Sequence, residues 1–355
     1  LSSILIQFFI GLSWKEFSER ERKNNIKKNI TDYLRNCFIL KQMKMYIRSI
    51  YLIALILGSI LFGCNSPERN STATKEASID ITHKLGVTKI INKPSRIVVF
   101  DIGALETLNE LGSKPAAVPK KYLPEYLSDI ERDESIVDIG SIMEPDFEAI
   151  SGLNPDLILI STRQERHYGE LSRIAPTVFI GTDNKDYLHS FIENTMLLAK
   201  IVGKEELAQE KLGVLKKKIQ ASQDKFKNDP HKALFLLYNN GRFSAYGKES
   251  RFGFIHDVLQ IKPALEYTVE SVHGQRVSNE LIADLNPDYL FIVDRNAAVL
   301  GHKANKNEIE NVLIQETNAY KNGKVFYLNP NIWFISGGGL TSVNLMVDDI
   351  LRLLP

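Results

Sequence analysis

One segment of this chain occurs twice. Glu148–Ile160 reads E-A-I-S-G-L-N-P-D-L-I-L-I, and Glu280–Ile292 reads E-L-I-A-D-L-N-P-D-Y-L-F-I. Each residue of the second copy lies 132 positions after its counterpart, and an arginine follows both copies at that offset, Arg163 and Arg295. In each copy a helical pattern meets Asn-Pro-Asp, a turn signal, and then an apolar strand-like run. A chain that repeats glutamate, helix, turn, strand and arginine is constrained to two lobes on one plan. The two arginines then face each other across whatever lies between the lobes.

At 355 residues the chain accommodates two such lobes. Its net charge of +1 gives no global electrostatic case for nucleic acid, so an anionic partner must be met by a local cluster. Cys37 and Cys64 form neither a disulfide framework nor a zinc spacing. Residues 1–42 mix an apolar stretch with a Lys/Arg/Asn run and read as an upstream segment outside the working protein. From Met43 a basic start, Lys44 and Arg48, leads into the apolar run Ile50–Phe62, short for a bilayer span. The run ends Leu61-Phe62-Gly63-Cys64, although Phe62 is bulkier than usual before such a cleavage site. Residues 43–63 read as a lipoprotein signal peptide, Cys64 as the residue carrying a diacylglycerol, and 64–78 as a polar tether. A domain tethered in this way works on the extracytoplasmic or periplasmic face of a membrane.

Residues 79–186 read as the first α/β lobe. Ile79–Leu85 is a strand, Gly86-Val87-Thr88 a turn, and Arg96–Phe100 a buried strand; Ala104–Leu111 is a helix. Strands at 116–118, 157–160 and 178–180 and a helix at 146–153 complete a β-α-β rhythm, which implies a parallel sheet covered by helices. Residues 187–226 contain no proline and have helical apolar spacing: Leu188, Ile192, Met196 and Ala199, a break near Gly203, then Ala208, Leu212, Leu215, Ile219 and Phe226. This linker helix predicts small relative motion of the lobes. Residues 227–355 begin a second β-α-β series at Ala233–Tyr238 and end in a helix, Leu340–Leu354, entered through Gly337-Gly338-Gly339.

In open α/β sheets, ligands bind beyond the carboxyl ends of the strands. Arg163 and Arg295 sit just past such ends, and Arg251 follows the strand-like run Arg242–Tyr246. Three guanidiniums there form a positive bowl for a multiply anionic ligand, each charge-assisted bond contributing roughly 1.5–3 kcal/mol. The alternative is pairing with adjacent acids, Arg295 with Asp294 or Arg251 with Glu249. His273, in the loop S-V-H-G-Q-R, suits a metal or an anion, or is a solvated loop residue. The remaining histidines are scattered, which argues against a protein-built metal cage, and His256 reads as helix packing. Trp333-Phe334 suits a ligand floor or plain core packing. No nucleophile elbow, Cys-His pairing or catalytic carboxylate pair is present in the sequence.

These residues converge on a family. V-V-F-D-I-G-A-L-E-T-L, D-F-E-A-I-S-G-L-N-P-D-L-I-L-I-S-T-R-Q, S-A-Y-G-K-E-S-R-F-G-F-I-H-D-V-L and Y-L-F-I-V-D-R-N resemble the siderophore-binding lipoproteins of bacterial iron ABC importers, particularly those for ferric catecholates. The resemblance covers residues 79–355 and implies two α/β lobes joined by a rigid helix, the helical-backbone (class III) binding-protein fold. It implies that Arg163, Arg251 and Arg295 hold an anionic iron–catecholate centre, with Tyr246, Trp333 and Phe334 as further ligand contacts. It implies that His273 fills open iron positions and that Glu148 and Glu280 dock arginines of a two-part permease served by an ATPase. Some relatives place an iron-ligating Tyr where this chain has Phe334, which cannot ligate. The expected function is capture of an Fe(III)–siderophore by a monomer with no intrinsic cofactor. A haem carrier on the same fold, and an esterase or chelatase-like enzyme, are the other readings.

Overall fold

The computed structural model describes residues 78–355, apart from 267–272 and 302–303. The expected signal segment, Cys64 and nearly all of the tether lie outside the described residues. Among those residues no helix is long and apolar enough to cross a membrane.

The first strands, β1 (Ser78–His83) and β2 (Gly86–Ile91), pair antiparallel as a hairpin. The turn expected at 86–88 is therefore strand, and the chain reverses at Lys84-Leu85 instead. Gly86 takes φ +141°, a conformation open to glycine, which lets the second strand start at once. Strands β3 (Ile97–Val99), β4 (Ala117–Val118), β5 (Val137–Asp138), β6 (Leu157–Ile160) and β7 (Thr177–Phe179) form a wholly parallel sheet in the order β5-β4-β3-β6-β7. Its central strands β3 and β6 are buried along their whole length, as strands covered on both faces must be.

The second sheet contains β8 (Lys232–Asn239), β9 (Arg242–Tyr246), β10 (Lys262–Pro263), β11 (Gln275–Val277), β12 (Tyr289–Asp294) and β13 (Val325–Tyr327). Its order is β11-β9-β8-β12-β13, with β10 also on β8. It is mixed, because β8 and β9 pair antiparallel where a β-α-β start was expected. The reason is local: Asn240 and Gly241 both have positive φ, +50° and +75°, and form the two-residue turn that matches strand twist.

Seven helices place the site. They are α1 (Ile102–Glu110), α2 (Phe147–Gly152), α3 (Tyr187–Val202), α4 (Glu205–Phe226), α5 (Asn279–Leu285), α6 (Arg295–Leu300) and α7 (Leu340–Leu353). The segment between the sheets is two helices, since Gly203 adopts φ +62° and ends α3 with a left-handed cap. The predicted stripe of α4 is buried at Ala208, Leu212, Leu215, Ile219 and Phe226. In α3 the buried stripe is Tyr187, Phe191, Thr195, Leu198 and Val202, about one residue from the predicted one; Leu188, Ile192 and Met196 are half-buried beside it.

The last helix packs back onto the first lobe. Lys218 of α4 bonds Asn344 and Asp348 of α7. Thr107 of α1 accepts from Leu340 N at 3.1 Å. Backbones meet there so closely that a Cβ on Gly103 would lie 2.6 Å from the carbonyl carbon of Gly338. The glycine run is thus an inter-lobe contact surface as well as the entry to α7.

The repeat has one mechanical job in both lobes. Asp146 caps α2 by accepting from Ala149 N, and Ser278, its counterpart, caps α5 by accepting from Leu281 N. Asn154 and Asn286 both take left-handed φ, +46° and +40°, turning helix into strand. Asp156 then accepts from Arg96 N, and Asp288 from Lys232 N, each tying its strand to the neighbouring one. Glu148 and Glu280, exposed in the first turns of α2 and α5, stand at the helix ends opposite these turns. That end is where the strands leave their sheets for Arg163 and Arg295.

Candidate functional site

A cavity of about 650 Å³ lies between the two sheets and is lined by both lobes. Its walls contain Arg163, Arg251, Arg295, His273, Tyr246, Trp333 and Phe334, all singled out from the sequence. Glu148 and Glu280 are not among the lining residues.

Arg163 is placed by its neighbour. After β6 the chain enters a tight turn, Thr162–His167, in which Gln164 is buried, accepting from Ser161 N at 3.1 Å and donating to the Ile142 carbonyl. With Gln164 anchored inward, Arg163 donates from Nη2 to the carbonyl of Phe334 at 3.1 Å, across the inter-lobe cavity. Arg251 donates to that same oxygen at 2.8 Å. Its loop is held by Glu249 N on Asp257 Oδ2 at 2.7 Å and Ser250 Oγ on the Gly247 carbonyl at 2.6 Å. Arg295 opens α6, directly after its N-cap Asp294.

Phe334 is the common centre. Its carbonyl is free for two guanidiniums because the widened helical turn Asn331–Ile335, closed by Ser336 N on the Asn331 carbonyl, ends one residue later and leaves its last carbonyls without backbone donors. Its ring lies 4.3 Å from the Arg251 guanidinium carbon and 5.9 Å from that of Arg295, within cation–π reach. Phe334 therefore offers iron no ligand atom but gathers three cations. Trp333 is core first: it packs on Phe235 and Phe254 and donates to Asp349 at 3.3 Å.

The acids adjacent to these arginines are not their partners. Asp294 accepts from the backbone N–H groups of Asn296, Ala297 and Ala304, and Asp257 Oδ2 takes Glu249 N. None of the three arginines makes an ion pair with a described residue. Burial holds the Arg163 pKa below the usual arginine value, with Asp101 opposing. Burial, with Arg163 and Arg295 adding to it and Tyr246 opposing, brings Arg251 down to about 10. Arg251 is thus a desolvated guanidinium repelled by the other two, an arrangement that an anion in the cavity relieves.

Sequence reasoning missed several lining residues. Asp101 caps α1 at 2.8 Å from Ala104 N, and Tyr187 donates to the Gly337 carbonyl at 2.6 Å. Asn239 lines the cavity with its buried Oδ1 unpartnered, as does the Tyr246 hydroxyl. The Asn240-Gly241 turn signal would have placed Asn239 at the mouth of β8. Burial, with Arg251 opposing, pushes the Tyr246 phenol up to about 12, so it is a neutral donor at physiological pH. An unpaired buried hydroxyl costs about 1–3 kcal/mol. Tyr246→Phe is accordingly expected to melt at or above the wild-type temperature while binding ligand about tenfold more weakly, as read by calorimetric melting and titration.

His273 lines the cavity from an exposed loop. His256 is buried, its Nδ1 at 2.8 Å from the Ile261 carbonyl, in keeping with helix packing. Among the described residues no group of three His, Cys, Asp or Glu is placed to hold a metal ion.

The sequence profile described as "Periplasmic binding protein" matches residues 97–332. The chain is 38% identical over 304 residues to the petrobactin-binding protein YclQ of Bacillus subtilis (strain 168), covering 84% of this chain and 96% of that protein. The crystal structure of YclQ aligns with a TM-score of 0.76 over 79% of this chain and 99% of that one. The ferric-anguibactin-binding protein FatB of Vibrio anguillarum (strain ATCC 68554 / 775) is 34% identical, with 84% and 96% covered. BauB, solved with two molecules of acinetobactin and ferric iron, is 33% identical, with a TM-score of 0.72 and 78% and 98% covered. Fold, profile and relatives agree: the chain belongs to the periplasmic binding protein family.

Proposed function

We propose that this chain is the substrate-binding component of an ABC importer, capturing an anionic Fe(III)–siderophore of catecholate type between its lobes. One observation carries the reading: three arginines from two lobes converge on Phe334 without a carboxylate partner among the described residues. A cavity of this size and charge suits a compact anion bearing several aromatic chelating groups. The relatives named for petrobactin and ferric anguibactin support iron–siderophore cargo. The siderophore supplies most of the iron coordination, and His273, which lines the cavity, would add to it. Binding without turnover is the role.

Glu148 and Glu280, one per lobe in equivalent first turns, would meet basic residues on the two halves of a permease that works with an ATPase. Cys64, outside the described residues, would carry the lipid that keeps the protein, as a monomer, at the outer face of its membrane.

Trp333, one of two tryptophans in the sequence and the one in the described residues, gives a direct assay. Titration with a ferric catecholate, a ferric hydroxamate and haem is expected to show quenching at the lowest concentration for the catecholate. Tight haem binding with no response to either ferric siderophore would overturn the proposal.

A further inference from the structure

Glu106, in the motif V-V-F-D-I-G-A-L-E-T-L, is assigned no part in ligand capture, yet it is a wholly buried carboxyl at the joint between the lobes. Four donors reach it. Ser342 N bonds Oε1 at 2.8 Å and Ser342 Oγ bonds the same atom; Tyr126 OH and Ser336 Oγ bond Oε2 at 2.5 and 3.0 Å. Helix α7 begins at Gly339, which has no side chain to cap it. Its first N–H groups are satisfied from the other lobe instead, Leu340 N by Thr107 and Ser342 N by Glu106. The residues just before α7, Ser336, Gly337 and Gly338, are cavity wall. The carboxyl that caps the helix is therefore also bonded to the wall through Ser336.

We propose that Glu106 is a positioning residue of the ligand cavity: by capping the last helix from the opposite lobe, it sets the Ser336–Gly338 wall and so tunes ligand affinity. The affinity arm of this inference rests on the function proposed above; the structural arm does not.

The groups facing Glu106 leave its charge uncompensated. On its own helix, Glu110 is taken by Lys211 of α4 at 2.6 Å and by Thr341, while Asp101 faces Arg163. Tyr126 and Tyr187 face it as neutral phenols, and α7 presents hydroxyls and N–H groups. Burial pushes the Glu106 carboxyl up to about 7, against the hydrogen bonds from Ser342, Tyr126 and Ser336. A raised carboxyl pKa means that its contribution to stability is whole below the ordinary value near 4.5 and is lost as pH rises through about 7. In the neutral form one oxygen still accepts from Ser342 N and the other donates to Ser336 or Tyr126. Glutamine reproduces that pattern without titrating.

The test compares wild type, Glu106→Gln and Glu106→Ala as full chains between pH 6 and 8. Apo melting is followed first, then quenching by the Fe(III) complex of 2,3-dihydroxybenzoate. The wild-type melting temperature is expected to fall by about 3 °C more across that range than that of Glu106→Gln. Glu106→Gln should bind the probe like the wild type at pH 6 and weaken less by pH 8. Glu106→Ala, without the cap, should bind about tenfold more weakly. Parallel pH profiles for wild type and Glu106→Gln would overturn the inference, as would a folded Glu106→Ala that binds like wild type. If even wild type ignores the probe, the ligand class is wrong, and the apo melting comparison still decides the role of Glu106.

Discussion

The Arg163→Ala, Arg295→Ala double variant is expected to bind a ferric tris-catecholate at least about 100-fold more weakly than wild type, because two charge-assisted contacts of roughly 1.5–3 kcal/mol each are removed. The same variant should melt no lower than wild type without ligand. Arg163 and Arg295 both depress the pKa of Arg251, so their removal relieves repulsion on a buried cation. What is lost in exchange is one hydrogen bond to the Phe334 carbonyl, which Arg251 still holds at 2.8 Å, and the long cation–π contact of Arg295 with the Phe334 ring at 5.9 Å. A binding site that stores repulsion in the empty state behaves in this way; a structural ion network does not. Parallel titration and scanning calorimetry make the distinction. A large drop in apo melting temperature, with equal losses for charged and neutral ligands, would assign the arginines to the scaffold.

Gly339→Ala is expected to have the largest effect on stability. The added methyl would overlap the Gly103 carbonyl oxygen and the Glu106 side chain, and the first of these is backbone that cannot rotate away. Close-packed joints respond to such insertions with losses of about 1–3 kcal/mol or more. For a domain of this size that lowers the melting temperature by several degrees, roughly 2–4 °C for each kcal/mol. Gly213→Ala, within α4, serves as the control: like Gly339 it has no positive φ, but nothing lies within 4 Å of the added atom. Equal melting temperatures for the two variants would show that the joint is looser than its backbone contacts indicate.

Much of the architecture was legible because it is local. The Asn-Pro-Asp turns, with Asn154 and Asn286 in the left-handed region, are written in short sequence and recur in the structure. The α4 stripe was readable because polar residues separate its apolar positions. The α3 stripe was offset because Tyr187 and Phe191 compete with Leu188 and Ile192 for the core face, and only packing against α1 decides between them. The hairpin at Asn240-Gly241 carried its own signal, which the β-α-β reading overrode. Positions of the three arginines followed from strand ends, but their meeting point did not. Phe334 gathers two of them through a backbone carbonyl left free at the end of a short turn and the third through its ring, which no residue type announces. The cap that α1 supplies to α7 was equally hidden, since Glu106 and Ser342 are 236 residues apart and meet only when the lobes assemble.

On the proposed reading, charge gathered by Arg163, Arg251 and Arg295 selects the ligand. The most direct measurement is the ratio of wild-type affinities for a triply negative Fe(III) tris-catecholate and a neutral Fe(III) tris-hydroxamate, titrated by Trp333 quenching at low and high salt. A preference for the anion of about 100-fold or more, shrinking as salt is raised, is the predicted result. Equal affinities at both salt concentrations, or a preference for the neutral complex, would contradict it.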